Sequence, residues 1–360
     1  MQQFDVSLLI SPSHSFFDGS GVLRGLADLA RDRTIRLRLH KGGVFDPRHR
    51  ALVRFDVAKP DQPAVRRVVI DLADRADYFS APALAQVDVY FKRSLSRDFV
   101  ATLSSDSQRR IKAYGLNLAC LGFGAARWHV RAAAMVLAQR LAQRTLPPRG
   151  AFAEFIATCR LATGLPGPAA FNAQAGMSSK PTVILQSRIW PPHLSTDDLL
   201  RVNDERIAIV QRLHSTFGGR FVGGILADSF SASVCPRDIL VRRNRRRGSY
   251  LKLLTSAAVG VYVRGLSNAI AIKMAEYLAA GLCIVSEPIA HELPVPLIAG
   301  VNYLSFRTLE ECTSQCEWLL SHPDESDKMR KANLEYYARW VEPKAHVHDL
   351  LSRSFDKEQA

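Results

Sequence analysis

The stretch AAVGVYVRGLSNAIAIKMAEYLAAGLCIVSEP, residues 257–288, contains a complete strand, turn, helix and second strand. Residues 258–263 form a short apolar run rich in β-branched side chains, which is typical of a buried parallel strand. Ser267 or Asn268 can cap the helix that follows, and Gly281 stands where a left-handed residue ends such a helix. The stretch therefore predicts an α/β fold in which parallel strands alternate with helices.

Two loops of this stretch are placed to contact a ligand. Ligands of open parallel sheets lie outside the carboxyl ends of the strands, where the free N–H groups of a helix start can bind phosphate. Residues 264–268 and 286–288 follow predicted strands, so both are expected at that edge. Lys273 and Glu276 lie one turn apart on the helix between them, although a surface salt bridge of about 0.2–0.5 kcal/mol would have the same spacing.

The segment KMAEYLAAGLCIVSE carries a family resemblance. It resembles the segment K-x-x-E-(Y/A)-x-A-x-G-x-P-(I/V)-V of the GT-B nucleotide-sugar glycosyltransferases, particularly the large group-1, family 4-like set. The resemblance covers residues 250–345 and implies that Glu276 binds the ribose hydroxyls of the donor nucleotide. Many members carry a second Glu, facing the donor sugar, where this chain has Asn268, and Cys283 stands where Pro is usual. Because an amide lacks the charge of a carboxylate, the donor sugar and the stereochemical outcome stay open.

The resemblance also implies an architecture and a donor site. The architecture has two Rossmann-like α/β domains with parallel sheets that face an interdomain cleft. In that family the first strand and loop of the second domain often bring a basic residue to the donor phosphates, and Arg188 would be that residue here. The full set of donor-site residues implied is Glu276, Asn268, Lys273, Arg188, Arg264, Gly265 and Ser267.

Three residues are candidates for catalysis. Glu287 follows a predicted strand directly, where it could contact the donor sugar or replace the charge missing at Asn268. Inverting enzymes of the GT-B architecture often place a general base in the first loop of the first domain, which here contains His14 and Asp18. Such a base must reach the acceptor hydroxyl. Either side chain could equally be an ordinary solvated or capping residue.

The first half of the chain offers two further candidate loops. Gly19 and Gly21 surround a predicted helix start after the first strand, where a phosphate or acceptor loop would lie, although they do not match G-x-G-x-x-G and a plain turn explains them. Lys92 and Arg93 follow the strand predicted at 87–91. Cations there can face a diphosphate or an acidic acceptor, or extend from the rim of the sheet into solvent.

Composition marks the domain boundaries. Pro and Gly are concentrated between residues 145 and 180, which is typical of a connection between domains. We expect an N-terminal acceptor domain at 1–165, a linker at 166–180 and a C-terminal donor domain at 181–342. A last helix within 343–360 is expected to cross back to the N-terminal domain.

Length, charge and cysteine content limit the class of protein. A chain of 360 residues fits two ordinary domains, and its net charge of +14 suits nucleotide sugars, acidic glycans, anionic lipid head groups or nucleic acid. Six cysteines without metal spacing, and no charged leader before a long apolar segment, fit a cytoplasmic protein. Peripheral attachment at the inner membrane face stays open. The helix predicted at 127–144 is basic, but its arginines do not share one face, which favours a solvated helix.

The run RRNRRRG, residues 242–248, supports a rival function. Clustered arginines can neutralise nucleic-acid phosphates, but no aromatic residues interleave this run and no recognisable nucleic-acid-binding motif surrounds it. A solvated face, or contact with donor phosphate or an acidic acceptor, explains the run better. Nucleic acid is therefore not an expected partner.

The sequence predicts a metal-independent glycosyltransferase that moves a sugar from a nucleotide-activated donor to a glycan, lipid-linked or small-molecule acceptor, in glycan or polysaccharide biosynthesis. No cofactor is expected beyond the nucleotide sugar as co-substrate. No D-x-D metal site is present, so Arg, Lys and helix-end N–H groups would stabilise the leaving diphosphate. A UDP-sugar epimerase of the same fold, a polyanion-binding protein and an inactive scaffold are the alternatives.

Overall fold

Two six-stranded sheets organise the chain. The computed structural model describes residues 3–44, 46, 49, 51–61, 64–172, 182–192, 198–241 and 247–356. The strands are β1 Phe4–Ile10, β2 Ile35–Lys41, β3 Leu52–Ala58, β4 Val65–Asp71, β5 Val89–Lys92, β6 Ile111–Ala113, β7 Val183–Ser187, β8 Phe221–Leu226, β9 Leu240–Val241, β10 Val259–Tyr262, β11 Cys283–Ser286 and β12 Leu304–Ser305. The α-helices are α1 Ser20–Arg31, α2 Ala81–Leu84, α3 Arg97–Ala101, α4 Ser105–Arg110, α5 Phe123–Ala142, α6 Pro148–Gly164, α7 Leu199–Phe217, α8 Ser231–Val234, α9 Arg247–Ser256, α10 Ile272–Ala279, α11 Leu309–Ser321, α12 Pro323–Tyr336 and α13 Pro343–Arg353.

The first of two compact units, unit 1, comprises Met1–Ala169, Glu292–Val295 and Arg339–Ala360. Its strands lie in the order β2-β1-β3-β4-β5-β6, and β3 runs antiparallel to both β1 and β4. Only residues 59–64 join β3 to β4. A parallel neighbour needs a crossover of a dozen or more residues, so this short connection forces the reversal. The predicted all-parallel sheet is therefore wrong for β3, while the other neighbouring pairs are parallel.

Helix α13 completes the apolar core of unit 1. Its side chains Val347, Leu350 and Leu351 are buried in the same cluster as the inward side chains of β1 and α1. Gly25 of α1 faces α13, and a Cβ at this position would lie 2.1 Å from the carbonyl oxygen of Pro343. Glycine thus lets the backbones of the two helices approach this closely.

Unit 2 comprises Ala170–His291 and Pro296–Ala338. All of its paired strands are parallel, and they lie in the order β12-β11-β10-β7-β8-β9. Counted within the unit from the opposite edge, this order is 3-2-1-4-5-6, the order of the doubly wound dinucleotide-binding fold. The strand order reverses between β7 and β10, so the ligand crevice of such a sheet lies outside their carboxyl ends.

The predicted fold class of two Rossmann-like α/β domains is confirmed by these two sheets. The predicted start of one helix is wrong. α10 begins at Ile272 rather than directly after Ser267 or Asn268. Those two residues have left-handed φ values of 55° and 58° in a 3₁₀ turn, which is incompatible with the extended backbone of a helix-capping residue.

The boundaries of the predicted linker fall largely outside the described residues. Within the predicted linker at 166–180 and the basic run at 242–248, residues 173–180 and 242–246 are not described. None of the helices in the described ranges combines the length and the apolar composition that a membrane crossing requires.

Candidate functional site

Arg206 ties together the two strand ends that flank the switch point of unit 2. This α7 side chain donates from Nη1 to the carbonyl oxygen of Arg188 and from Nη2 to that of Arg264, each at 2.6 Å. Its guanidinium lies 4.3 Å from the ring centroid of Trp190, and within the described part of the chain its buried Nε has no hydrogen-bond partner. Burial lowers the pKa of Arg206 to about 10, so the group stays cationic at neutral pH.

The side chain of Arg264 is already paired with carboxylates. Its Nη1 lies 2.7 Å from Asp198 and its Nη2 lies 2.9 Å from Glu205. Burial lowers the pKa of Arg264, but these two carboxylates more than offset that effect and raise it. The resemblance implies that Arg264 binds phosphate, but in this structure its guanidinium is held by these two carboxylates of unit 2. Its contribution here is to fix the loop after β10.

Glu287 accepts a hydrogen bond from the backbone N–H of Arg264 at 2.5 Å. Burial raises the pKa of this carboxyl, and the N–H of Arg264 opposes the rise. Glu287 therefore lies at the carboxyl edge of the sheet, as its position after β11 predicts. The bond links the loops that follow β10 and β11.

Glu276 is buried, and both of its oxygens are occupied. Tyr250 donates its hydroxyl to Oε2 at 2.8 Å, and Nη1 of Arg247 forms an ion pair with Oε1 at 2.7 Å. The side chain of Glu276 is 2% exposed and that of Arg247 is 31% exposed, so the arginine covers the carboxylate from the solvent side. Nε and Nη2 of Arg247 are buried with no hydrogen-bond partner in the described ranges. Burial and the covering guanidinium therefore shield the carboxylate of Glu276 from solvent.

Lys273 lies near several other cationic side chains of unit 2. Burial lowers its pKa to about 8; Glu276 opposes this shift, while the charges of Arg247, Arg206 and Arg188 add to it. Lys273 Nζ also lies 4.6 Å from the ring centroid of Tyr250. These interactions place the three arginines within electrostatic reach of the lysine, next to the crevice of the parallel sheet.

The turn between β10 and α10 contains the other predicted donor residues. Asn268 accepts from Arg264 Nη1 at 3.1 Å, and the backbone N–H of Ser267 donates to Asp198 at 3.1 Å. At Gly265 an added Cβ would lie 2.8 Å from the carbonyl oxygen of Ala269, so the turn is closed too tightly for a side chain. The amide of Asn268 faces the same arginine that Asp198 neutralises.

His14 lines a pocket of about 390 Å³ in unit 1. The pocket is also lined by Ser13, Ser15, Arg140 and Glu154. It lies directly after β1, at the edge where the carboxyl ends of the parallel strands of unit 1 meet. Burial lowers the pKa of His14 to about 4, with the charge of His129 adding to the shift, so the imidazole is neutral at neutral pH.

Asp18 and the two glycines have local structural partners. The Asp18 carboxylate accepts from the Ser15 hydroxyl at 2.7 Å. At Gly19 a Cβ would lie 2.7 Å from the carbonyl oxygen of Ser15, and at Gly21 it would lie 2.4 Å from that of Leu118. Backbone thus packs too closely against Gly19 and Gly21 for a side chain, and their assignment to an acceptor or phosphate loop stays a prediction.

Lys92 is buried rather than exposed at the rim of the sheet. It is 0% exposed, and its Nζ lies 2.9 Å from Asp71 Oδ2, which also accepts from the Tyr90 hydroxyl at 2.6 Å. His49 Nε2 is 3.0 Å from the same oxygen. Burial alone would raise the pKa of Asp71, but His49, Lys92 and Tyr90 hold it below its usual range. The predicted phosphate contact of Lys92 is wrong, because its ammonium is enclosed with the carboxylate it neutralises.

Arg93 is similarly occupied. It is 6% exposed, its Nη1 lies 2.9 Å from Asp74, and the same atom donates to the carbonyl oxygen of Leu72 at 3.3 Å. These contacts tie the loop after β4 to the end of β5. The phosphate or acceptor contact of this side chain stays a prediction.

Sequence reasoning missed Arg206 and Tyr250 as site residues, whereas Arg247 lies in the basic run for which contact with donor phosphate was considered. Arg206 lies mid-helix on a face that otherwise buries Ile209, Val210 and Leu213. A cation on an apolar helix face was the available signal, because such a charge needs buried partners. No comparable signal marks Tyr250, whose partner Glu276 is 26 residues away.

Within the described residues, no group of three or more His, Cys, Asp or Glu side chains is arranged to hold a metal ion.

No family model matches the sequence, and the comparison with curated proteins gave no match. Solved glycosyltransferases are among the structures that the chain is similar to. The C-terminal domain of a glycosyl transferase group 1 family protein from Francisella tularensis is matched with a TM-score of 0.35 and 7% identity, over 48% of this chain and 95% of that one.

Two further similar structures have bound nucleotide sugars. UDP-GlcNAc 2-epimerase from Neisseria meningitidis bound to UDP-GlcNAc has a TM-score of 0.38 and 13% identity, over 76% of this chain and 63% of that one. A trehalose-6-phosphate protein from E. coli bound with UDP-2-fluoro glucose has a TM-score of 0.41 and 12% identity, over 79% of this chain and 66% of that one. This chain thus spans less than two thirds of either protein. With these TM-scores, the likeness by itself assigns neither an activity nor a substrate.

Proposed function

We propose that unit 2 binds a nucleotide-activated sugar at the switch point of its sheet, and that the protein transfers this sugar to an acceptor. The observation that carries the proposal is the collection of positive charge there. Arg188, Arg206 and Arg247 act electrostatically on Lys273, and Glu276 opposes them. A doubly wound sheet with cations at its switch point suits a ligand with a diphosphate.

The chemistry of glycosyl transfer explains why such charge is useful. The bond between the anomeric carbon and the diphosphate breaks, so negative charge develops on the leaving group. Preorganised cations and N–H groups stabilise that charge in the transition state. The exposed Arg188 and the amino terminus of α10, which has no side-chain cap, are the groups we assign to the diphosphate together with Lys273.

We assign Glu276 to the ribose of the donor. Its carboxylate would accept the ribose hydroxyls after Arg247 or Tyr250 moves aside, since Arg247 forms an ion pair with it and Tyr250 donates a hydrogen bond to it. Arg247 would then have its guanidinium free for the diphosphate. On donor binding, Arg247 would exchange the carboxylate of Glu276 for the diphosphate. This exchange would limit the free-energy cost of exposing the buried carboxylate.

We assign the acceptor to the pocket beside His14 in unit 1. The imidazole is neutral at neutral pH, as a general base requires, and the pocket of about 390 Å³ has room for a sugar-sized group. The acceptor would be a glycan, a lipid-linked sugar or a small molecule, and the reaction would belong to glycan or polysaccharide biosynthesis in the cytoplasm.

A thermal-shift screen across UDP-, GDP-, ADP- and dTDP-sugars tests the proposal. A ligand that binds only the folded state stabilises it by about 2.7 kcal/mol at a hundredfold excess over its Kd, so one donor class should raise the melting temperature clearly. Incubation of that donor alone, followed by product analysis, separates transfer from epimerisation. If no nucleotide sugar shifts the transition, the donor-site assignment is wrong.

The ribose assignment has its own test. Glu276→Gln should weaken binding of the nucleotide sugar by about tenfold or more, since an amide accepts hydroxyl hydrogen bonds less strongly than a carboxylate. Tyr250→Phe, which frees one oxygen of Glu276 but keeps the ring, should leave the affinity equal or higher. Isothermal titration of both variants measures this difference. Equal losses in the two variants would contradict a direct contact of Glu276 with the ligand.

A further inference from the structure

Unit 1 has a second cavity, at the opposite edge of its sheet from the pocket beside His14. This cavity has a volume of about 500 Å³. Gln3 and Thr34 line it and directly precede β1 and β2, so it lies at the amino ends of these two parallel strands. His14 follows β1 at the other end, and a strand of 7 residues spans about 23 Å. The cavity is therefore separate from the proposed acceptor pocket, and all of its lining residues belong to unit 1.

A π-helical turn supplies the aromatic wall of this cavity. The turn, Tyr337–Val341, lies between α12 and α13, and π-helical turns are rare and frequent at functional sites. It brings the consecutive side chains of Arg339 and Trp340 to the cavity. The guanidinium carbon of Arg339 lies 4.9 Å from the ring centroid of Trp340. This cation–π contact holds the guanidinium beside the indole and uses none of its N–H donors.

Ion pairs neutralise the other charged groups of the lining. Lys344 Nζ lies 3.0 Å from Asp32 Oδ2, and the hydrogen bond from Lys344 lowers the pKa of Asp32. Asp349 Oδ2 lies 3.0 Å from Arg353 Nη1. In the described part of the chain, no carboxylate pairs with Arg339. The cavity thus keeps one positive charge without a partner, which suits a ligand with a single negative charge better than a diphosphate.

The rest of the polar lining consists of small hydrogen-bonding groups. His348 Nε2 lies 2.8 Å from Gln3 Oε1, and the Ser352 hydroxyl donates to the carbonyl oxygen of His348 at 2.9 Å, so these side chains are held in place. Thr34 adds a second hydroxyl. A hydroxyl group both donates and accepts, so this lining suits a ligand that carries several hydroxyls of its own.

We propose that this cavity binds a carboxylated sugar, such as a uronic acid unit of an acidic glycan. The apolar face of the sugar ring would pack on Trp340, and Arg339 would bind the carboxylate through two parallel hydrogen bonds. The ring hydroxyls would bind Gln3 and Thr34. The volume lies within the range of small-molecule pockets, about 300–1,000 Å³. The site would hold a saccharide without taking part in sugar transfer, so it does not depend on the donor assignment.

Saturation-transfer NMR of the full chain, with glucuronate, glucose and inorganic phosphate as separate probes, tests this proposal. Glucuronate should bind in the millimolar range, and both other probes should bind much more weakly. Arg339→Gln should weaken glucuronate binding at least about tenfold, because the variant loses the charge that pairs with the carboxylate. Trp340→Ala should abolish the binding, because it removes the surface on which the sugar ring packs.

The matched controls are Arg160→Gln on α6 and Trp318→Ala on α11, which change an exposed arginine and a tryptophan that is 39% exposed. Both should retain the affinity for glucuronate. Arg339→Gln should keep the melting temperature of the parent chain and its response to nucleotide sugars, which separates this site from the donor site. The proposal is overturned if glucose or phosphate binds as tightly as glucuronate, if the controls lose as much affinity as the cavity variants, or if glucuronate does not bind at millimolar concentration.

Discussion

Single side chains decide what the two sheet edges can do. In unit 1 the ammonium of Lys92 forms an ion pair with Asp71, and in unit 2 the carboxylate of Glu276 is covered by Arg247. Both are buried ion pairs, and such pairs are sensitive to loss of one partner because the other is left charged without compensation. Both partners of the first pair are fully buried, whereas the arginine of the second pair is partly exposed.

Lys92→Met should destabilise unit 1 by about 3 kcal/mol, because the buried charge of Asp71 would lose its cation and keep His49, the Tyr90 hydroxyl and the backbone N–H of Ala73 as partners. Urea unfolding of the variant measures the loss. The exposed pair of Arg75 and Asp77 provides the control, and Arg75→Ala should change the free energy of unfolding by less than about 0.5 kcal/mol. Similar losses of unfolding free energy in the two variants would show that the buried ion pair of Lys92 stabilises unit 1 no more than the exposed pair does.

The affinity for a nucleotide sugar should fall as the pH rises through about 8, because Lys273 loses its proton there. Its lowered pKa means that the ammonium is present below about pH 8 and is lost above it, whereas an ordinary lysine would stay charged to about pH 10. Titration calorimetry between about pH 7 and pH 9 should show up to about a tenfold loss per pH unit above the pKa.

Lys273→Arg supplies the control for that pH dependence. An arginine stays charged across the whole range, so this variant should bind with an affinity that no longer depends on pH. A slope that persists in the variant would assign the titration to another group.

Some of these residues could be predicted from the sequence, and others could not. Asp71 and Lys92 end neighbouring strands and pair in register, so their contact was accessible once the strand order was known. The sequence shows each at a strand end, but not that the two strands are adjacent. Arg206 was missed because the carbonyls it bridges follow β7 and β10, which are far apart in the chain.

At the scale of elements, apolar runs located most strands well. β10 lies within the strand predicted at 258–263, β5 overlaps the strand predicted at 87–91, and a helix follows β10 in the opening stretch as predicted. The reversed direction of β3 was not predicted, because alternation of side chains does not distinguish parallel from antiparallel strands. The short connection between β3 and β4 is the sequence feature that indicates an antiparallel pair.

Gly25→Ala should loosen the contact between α1 and α13, since the new Cβ would meet the Pro343 carbonyl oxygen at 2.1 Å and the Val347 side chain at 2.5 Å. We expect a loss of about 1–3 kcal/mol in the free energy of unfolding, as for other overpacked sites. Gly124→Ala in α5 is the matched control, because the nearest atom to its Cβ lies at 3.6 Å. That variant should gain a few tenths of a kcal/mol or more from helix propensity. A gain in both variants would refute the packing role of Gly25.

At the scale of the whole molecule, the two units differ in how the chain builds them. Unit 1 combines residues 1–169 with residues 339–360, whereas unit 2 is continuous except at residues 292–295. The doubly wound order of unit 2 places its cations at the switch point, and that order follows from the topology rather than from any local motif. This is why the sequence could indicate a donor site but not the full set of its residues.

Deletion of residues 343–356 should unfold unit 1 selectively. Val347, Leu350 and Leu351 would be lost from its core, and each buried side chain of this size contributes about 1.5–3 kcal/mol. Calorimetry should show the unit 1 transition lowered or absent while that of unit 2 persists, and a peptide of residues 343–356 added in trans should restore it. An unchanged transition would mean that α13 is dispensable.

The place of α13 in the core also has a consequence for biosynthesis. A ribosome makes α1 some three hundred residues before it makes the helix that packs on Gly25. At a synthesis rate of roughly 5–20 residues per second, part of the apolar surface of α1 stays uncovered for tens of seconds. Unit 2 is synthesised during that interval, so the core of the unit translated first is completed last.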